Sequence, residues 1–157
     1  MSKEIERKFL IVNTSFKKEA IKSYKIAQGF LSTVPERTVR IRIQDNQGFI
    51  TIKGIGNQTG TTRFEWEKEI DINEANSLLA ICEPSIIEKI RYIIPTNNQL
   101  FFEVDEFLGL NNGLIIAEIE LPSEDADFDK PYWLGKEVTG KALYYNSMLA
   151  KKPFTKW

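Results

Sequence analysis

The chain has 157 residues, with 21 Lys and Arg against 22 Asp and Glu and a net charge of −1. That is the size and balance of one soluble domain with its own core, without the basic surplus of a general nucleic-acid binder. Histidine is absent and Cys82 is the sole cysteine, which excludes Cys/His zinc sites, Ser-His-Asp or Cys-His catalysis and an intrachain disulfide.

An enzyme written in this alphabet must work with carboxylates, Lys, Arg, Tyr or an oxygen-bound metal ion. No apolar run approaches the ~18 residues that span a bilayer. Charges stand where a signal peptide carries its apolar stretch. The expectation is a cytoplasmic protein with no membrane contact.

In chain order, residues 4–12 alternate as a strand, with Glu4, Glu6 and Lys8 on one face and Ile5 and Phe9 on the other. Thr14–Ile21 predicts a short capped helix, and Lys25–Thr33 a strand with Gly29 at a bulge or kink. Pro35 marks a turn. Val39–Asp45 and Phe49–Gly54 predict a hairpin turning at Asn46-Gln47-Gly48. A flexible loop over 55–60 leads to the alternating strand Arg63–Ile70.

Asn73–Glu83 predicts a helix capped by Asp71 or Asn73 and stopped by Pro84, with Cys82 buried on it. Strands follow at Ile86–Pro95, Leu100–Phe107 and Leu114–Leu121. The acidic stretch Ser123–Asp129 predicts a surface helix or loop, and one further helix falls near Lys141–Ala150. Trp133 suits a core position. Eight strands joined mostly by hairpins predict an α+β, mainly β fold. It is an eight-stranded antiparallel β-barrel, closed or nearly so, with helices packed outside, and residues 1–157 form one domain.

Charged residues recur at paired same-face positions. After Glu4, Glu6 and Lys8 come Arg40 and Arg42, then Lys53 beside Thr51, then Arg63, Glu65, Glu67 and Glu69. Lys89 and Arg91, Glu103 and Asp105, and Glu118 and Glu120 complete the set; Gln28 is the polar candidate in the remaining strand. A solvated face accounts for any one pair, because one wet face is the rule in antiparallel sheets. It accounts poorly for signs that segregate by strand, cationic in three and anionic in others.

Turned inward, these faces make a charged lumen whose groups must be paired, bound to metal or bound to ligand. Lys and Arg converge on a polyanion, and carboxylates bind hard divalent cations through oxygen. This is the charge layout of metal-assisted phosphoryl transfer. The apolar faces then point outward, which calls for helices to cover part of them and leaves room for a homodimer.

Glu4-Ile5-Glu6-Arg7-Lys8 resembles the Glu-x-Glu-x-Lys signature of the CYTH superfamily, the triphosphate tunnel metalloenzymes. The likeness continues in order through Gln28-Gly29-Phe30, Val39-Arg40-Ile41-Arg42, Thr51-Ile52-Lys53-Gly54 and Arg63-Phe64-Glu65-Trp66-Glu67. It runs on through Glu88-Lys89-Ile90-Arg91-Tyr92, Glu103-Val104-Asp105, Ala117-Glu118-Ile119-Glu120 and Trp133-Leu134-Gly135-Lys136, in the manner of the bacterial branch.

The resemblance implies a tunnel that binds a triphosphate with Mg²⁺ or Mn²⁺. Glu4, Glu6, Glu118 and Glu120 would hold the metal. Glu65, Glu67 and Asp105 would place a second metal or the attacking water, and Lys8 joins them as a catalytic group. Lys8, Arg40, Arg42, Lys53, Arg63, Lys89 and Arg91 would hold the phosphates. The chain departs from the pattern at Phe30, where many relatives carry Tyr, and at Ala142-Leu143, where they carry a basic pair before the final Tyr-x-Asn. Lys136 or Lys141 would stand in for that pair.

The implied activity is hydrolysis of a short triphosphate, inorganic tripolyphosphate first, to pyrophosphate and phosphate. A class IV type adenylate cyclase or a nucleoside or thiamine triphosphatase is the enzymatic alternative. A non-catalytic polyphosphate-binding module is the alternative of another class.

Overall fold

The computed structural model describes residues 3–157. Its strands are β1 (Lys3–Ile11), β2 (Lys22–Ser32), β3 (Thr38–Gln44), β4 (Gln47–Lys53), β5 (Thr62–Ile70), β6 (Ile87–Pro95), β7 (Phe101–Phe107), β8 (Ile115–Glu120) and β9 (Leu134–Glu137). Its α-helices are α1 (Phe16–Glu19), α2 (Ile72–Ala80) and α3 (Asn146–Lys151). The strand order β5-β4-β3-β2-β6-β7-β8-β1 is closed by a β5–β1 pairing into an eight-stranded antiparallel barrel, and β9 adds to β1 outside it. Among the described residues no helix is long and apolar enough to cross a membrane.

The alternation in the sequence determines which face turns inward. Lys89 and Arg91 of β6 stand opposite Phe107 and Asp105 of β7, while Ile26 and Tyr24 of β2 stand opposite the same two β6 residues on the other side. These positions line the lumen. The apolar residues of the opposite parity on each strand face out, as expected, and most of the outer wall is covered. Phe9, Phe102, Val104, Ala117 and Ile119 form a core with Phe16 of α1 and the fully buried Trp133. Ile41 is buried under α2 on the opposite side. On β5 the outward Phe64 and Trp66 remain exposed.

One end of the lumen is apolar. Phe30, Ile87, Phe107 and Ile116 pack there against Leu149 and Ala150 of α3. The C-terminal helix thus closes the barrel rather than only packing on its outside. The other end, beside Tyr24, Ile93, Phe101, Glu103 and Glu120, is open.

The closing seam is short. Lys3, Glu4 and Ile5 pair with Phe64, Arg63 and Thr62, after which β5 departs and β9 takes over the same edge from Phe9. Between them, the Glu6 N–H donates to the Thr61 carbonyl at 3.0 Å and the Lys8 N–H to Thr139 Oγ1 at 2.9 Å. The two loops that fill the gap touch at glycines. A Cβ on Gly60 would lie 2.3 Å from the Gly140 Cα, and both residues have positive φ.

Several local expectations change. The hairpin turn is Asp45-Asn46, since Gln44 and Gln47 already pair, and Asp45 takes the positive φ of 53°. Gly48 lies instead within β4, where a Cβ would be 2.4 Å from the Ala75 Cβ, so it is needed for the close approach of α2. The β2 bulge falls after Phe30 rather than at Gly29. Asp71 caps α2, accepting from the Asn73 and Glu74 N–H groups. That helix ends at Ala80, so Cys82 sits in the following turn, partly exposed, with its thiol directed at the Leu78 carbonyl. Ser123–Asp129 takes the loop form of its two alternatives, and the predicted C-terminal helix begins only at Asn146.

Candidate active site

Six cations from five strands face one narrow cavity: Lys8, Arg40, Lys53, Arg63, Lys89 and Arg91. Each stands on the inward parity of its strand, so the period-two pattern that builds the wall also gathers the charges. Arg91 donates to both oxygens of Asp105, Nε to Oδ1 at 2.7 Å and Nη2 to Oδ2 at 2.8 Å. Lys89 reaches Asp105 Oδ2 at 2.7 Å. Lys53 lies 2.8 Å from Glu4, and Lys8 3.5 Å from Glu118. Arg42, next on β3, donates to Glu67 at 3.2 Å, and Glu67 accepts from Thr51 at 2.7 Å.

Positive charge exceeds what these partners neutralise. The Nε–H groups of Arg40 and Arg42 are buried with no acceptor. Burial and then the neighbouring Arg40 push the Arg42 guanidinium down to about 10. Buried donors without acceptors are rare because each loses its hydration. Two of them on adjacent inward positions of β3 mark a place shaped for an anion.

The carboxylates form the facing row. Across β1 and β8, Glu6 stands opposite Glu120 and Lys8 opposite Glu118, with Glu4 next on the same face. Burial pushes the Glu6 carboxyl up to about 8, and the charges of Glu118 and Glu4 add to the shift. Glu6 consequently holds a proton and donates it to Glu118, whose own carboxyl is kept low, against burial, by Lys8 and Arg91. In the same way Glu65, raised to about 7 by burial and by Glu4, hydrogen-bonds to Glu4. Lys53 holds Glu4 down at about 2 against its burial.

Proton sharing between carboxylates marks sites where a cation can replace the proton. All the donors are oxygens, which suits a hard divalent ion. Among the described residues no three acidic groups converge on one point as they stand, because Glu4 is drawn to Lys53 and Glu118 to Lys8.

These shifts set a pH dependence. Above about pH 4.5 the unfolded chain has released protons that Glu6 and Glu65 retain in the fold, up to about 8 and about 7. The folded state binds more protons through that window, so its stability falls as pH rises. We predict that the melting temperature of the metal-free protein declines from pH 5 to pH 8 and that saturating Mg²⁺ or Mn²⁺ reverses the decline. A flat profile measured by calorimetry without metal would contradict the shared-proton arrangement.

The fold brings together most of the residues expected at the site, with one correction, at Lys136. Asp105, expected among the catalytic groups, lines the wall with both oxygens paired, Oδ1 and Oδ2 with Arg91 and Oδ2 also with Lys89. Lys136 lies exposed on β9 outside the barrel, and the fold does not bring it to the cavity. Glu120 sits at the open mouth with Glu103. Tyr145, in the segment that departs from the expected basic pair, places its ring under Lys8 at 5.2 Å and Arg63 at 5.7 Å. Thr51 was signalled by its parity with Lys53. Thr139 and Asn146 carried no periodic signal, because they come from irregular chain after β9 and from the start of α3.

Comparison with known proteins adds a second line of support. The CYTH domain family matches residues 2–152. The chain is 46% identical over 155 residues to an inorganic triphosphatase of Acetivibrio thermocellus, covering 98% of this chain and 97% of that one. It is 36% identical over 150 residues to an inorganic triphosphatase of Nitrosomonas europaea, covering 94% and 96%. Among solved structures it resembles the inorganic triphosphatase NE1496 with a TM-score of 0.66 and 34% identity, over 94% of this chain and 97% of that one.

Proposed function

The chain belongs to the CYTH domain family, and from that premise we propose that it hydrolyses inorganic tripolyphosphate to pyrophosphate and phosphate inside the barrel, with Mg²⁺ or Mn²⁺. One observation carries the reading. Six inward cations, with buried Arg40 and Arg42 N–H groups lacking acceptors, face a row of carboxylates across β1 and β8. An anion alone needs no such row, and a cation alone needs no such cluster.

Lys8, Arg40, Arg42, Lys53, Arg63, Lys89 and Arg91 bind the phosphate oxygens, the arginines in bidentate fashion. Asp105 keeps Lys89 and Arg91 charged and aimed. Glu4, Glu6, Glu118 and Glu120 would hold the divalent cation, which when bound neutralises phosphate charge and lowers the pKa of water. Glu65 titrates near neutrality, at about 7, which suits a general base at physiological pH. Water adds to a terminal phosphorus as the bridging P–O bond breaks, and its proton passes to Glu65. Glu67, held between Arg42 and Thr51, orients that water. Lys8 offsets the charge that develops on the leaving pyrophosphate.

The open mouth beside Tyr24 and Phe101 has room for an organic group on the substrate, so the test is a screen. Phosphate release is measured with tripolyphosphate, ATP, GTP and thiamine triphosphate in Mg²⁺ and Mn²⁺. The fastest release is expected from tripolyphosphate. Cyclic AMP formed faster than tripolyphosphate is cleaved would make the protein a cyclase instead. Tight tripolyphosphate binding without release would make it a binding module.

A further inference from the structure

Lys89 is 1% exposed, and its ammonium has three N–H donors to place. One meets Asp105 Oδ2 at 2.7 Å and a second meets Asn146 Oδ1 at 3.1 Å. Lys89 also lines the phosphate cavity, its ammonium 5.4 Å from the Phe107 ring centroid, and its remaining donor has no hydrogen-bond acceptor among the described residues. Asn146 is the first residue of α3, the helix that closes the barrel, and no charge pattern marks it. Its side-chain oxygen accepts a second hydrogen bond, from Gln28 Nε2 on β2 at 2.9 Å. Gln28 is fully buried.

The orientation of this chain of groups has one source. An ammonium only donates, so Lys89 requires the oxygen of Asn146 rather than its amide nitrogen. That oxygen then requires the amide nitrogen of Gln28. The outcome leaves Gln28 Oε1 buried without a partner, an unfavourable state for a neutral acceptor. Reversing Gln28 would set its oxygen against the Asn146 oxygen. The arrangement that satisfies the lysine is the one present, although Gln28 is left incompletely bonded. A neutral oxygen also holds Lys89 without cancelling its charge, whereas a carboxylate there would compete with the phosphate.

We infer that Asn146, oriented by Gln28, is a positioning residue that holds the Lys89 ammonium so that its remaining N–H meets a phosphate oxygen of the substrate. This rests on the tripolyphosphate reading above and places two uncharged residues behind the phosphate-binding set, one of them on the closing helix.

The test is a double-mutant cycle on the full-length protein, read as KM and kcat for tripolyphosphate. Asn146→Ala is expected to raise KM about tenfold, the order of one hydrogen bond to a charged group, with a smaller change in kcat. In a Lys89→Met background the same change is expected to alter KM by less than about twofold, since contacting residues are not additive. Gln28→Leu should follow Asn146→Ala in both backgrounds. Equal effects with and without Lys89 would overturn the proposal. Asn146→Asp, which keeps the oxygen and the packing, should also weaken binding through its added charge; binding as tight as wild type would count against it.

A ligand-free readout separates this inference from the functional one. The Lys89 ammonium should give a slowly exchanging hydrogen–nitrogen correlation signal that Asn146→Ala broadens. If it does so while the wild type neither binds nor cleaves tripolyphosphate, the functional reading fails and the positioning contact stands. If Asn146→Ala leaves the signal unchanged, the positioning contact fails whatever the activity.

Discussion

Replacing Asp105 with alanine is expected to destabilise the protein by about 3–5 kcal/mol, the range for breaking a buried ion pair from one side. Asp105 is 1% exposed and receives three charge-assisted hydrogen bonds, two from Arg91 and one from Lys89. Without it, two buried cations on adjacent inward positions of β6 face each other. Glu103 then remains for Arg91 at 3.2 Å and the neutral Asn146 for Lys89 at 3.1 Å. For a chain of this size the loss corresponds to a fall in melting temperature of roughly 6–20 °C. Tripolyphosphate should raise the melting temperature of the variant more than that of the wild type, because the anion supplies the missing charge. Denaturant unfolding gives the energy; a loss below about 1 kcal/mol would mean that Asp105 does not neutralise this part of the wall.

Glu6→Gln should do the opposite to stability and far more to activity. Glu6 lies beside Glu118 and Glu4, and burial with those charges holds its carboxyl at about 8. At pH 8 the metal-free protein therefore carries a repulsion that glutamine removes, so the melting temperature of the variant should rise. Metal-dependent phosphate release should fall by more than about 100-fold, beyond the loss that follows from disturbing only an outer partner of a metal ligand. A residue needed only for packing would lower both quantities together. Unchanged turnover, or a lower melting temperature at pH 8, would remove Glu6 from the metal-binding row.

The charged lumen was legible in the sequence because a strand repeats its faces with period two. Glu4, Glu6 and Lys8, or Arg40 and Arg42, fall on one face whatever the register, and closure of the sheet turns all such faces inward. Pairings across strands were less legible. That Asp105 stands opposite Arg91 depends on the β6–β7 register, which alternation alone leaves undetermined by any even shift. The ion pair between them follows from that register.

The closed end was hidden for a related reason. Ile87, Phe107 and Ile116 share parity with charged lumen residues, but an apolar residue in a strand gives no sign of which core it joins until α3 is seated on it. β9 was missed because Leu134-Gly135-Lys136-Glu137 is short and barely alternates, and it pairs only where the departure of β5 frees an edge of β1. Lys136, offered as a stand-in for the missing basic pair, lies on that outer strand. Gly48 looked like a turn residue because glycine serves both turns and close approaches; only the Ala75 contact distinguishes the two uses here.

Phosphorus NMR of the wild-type protein with tripolyphosphate tests the central claim most directly. In Mg²⁺ or Mn²⁺ the tripolyphosphate signals should give way to pyrophosphate and phosphate in equal amounts, and a chelator should stop the conversion. Tripolyphosphate that persists unchanged with either metal present, or that is cleaved equally well after chelation, would contradict the account.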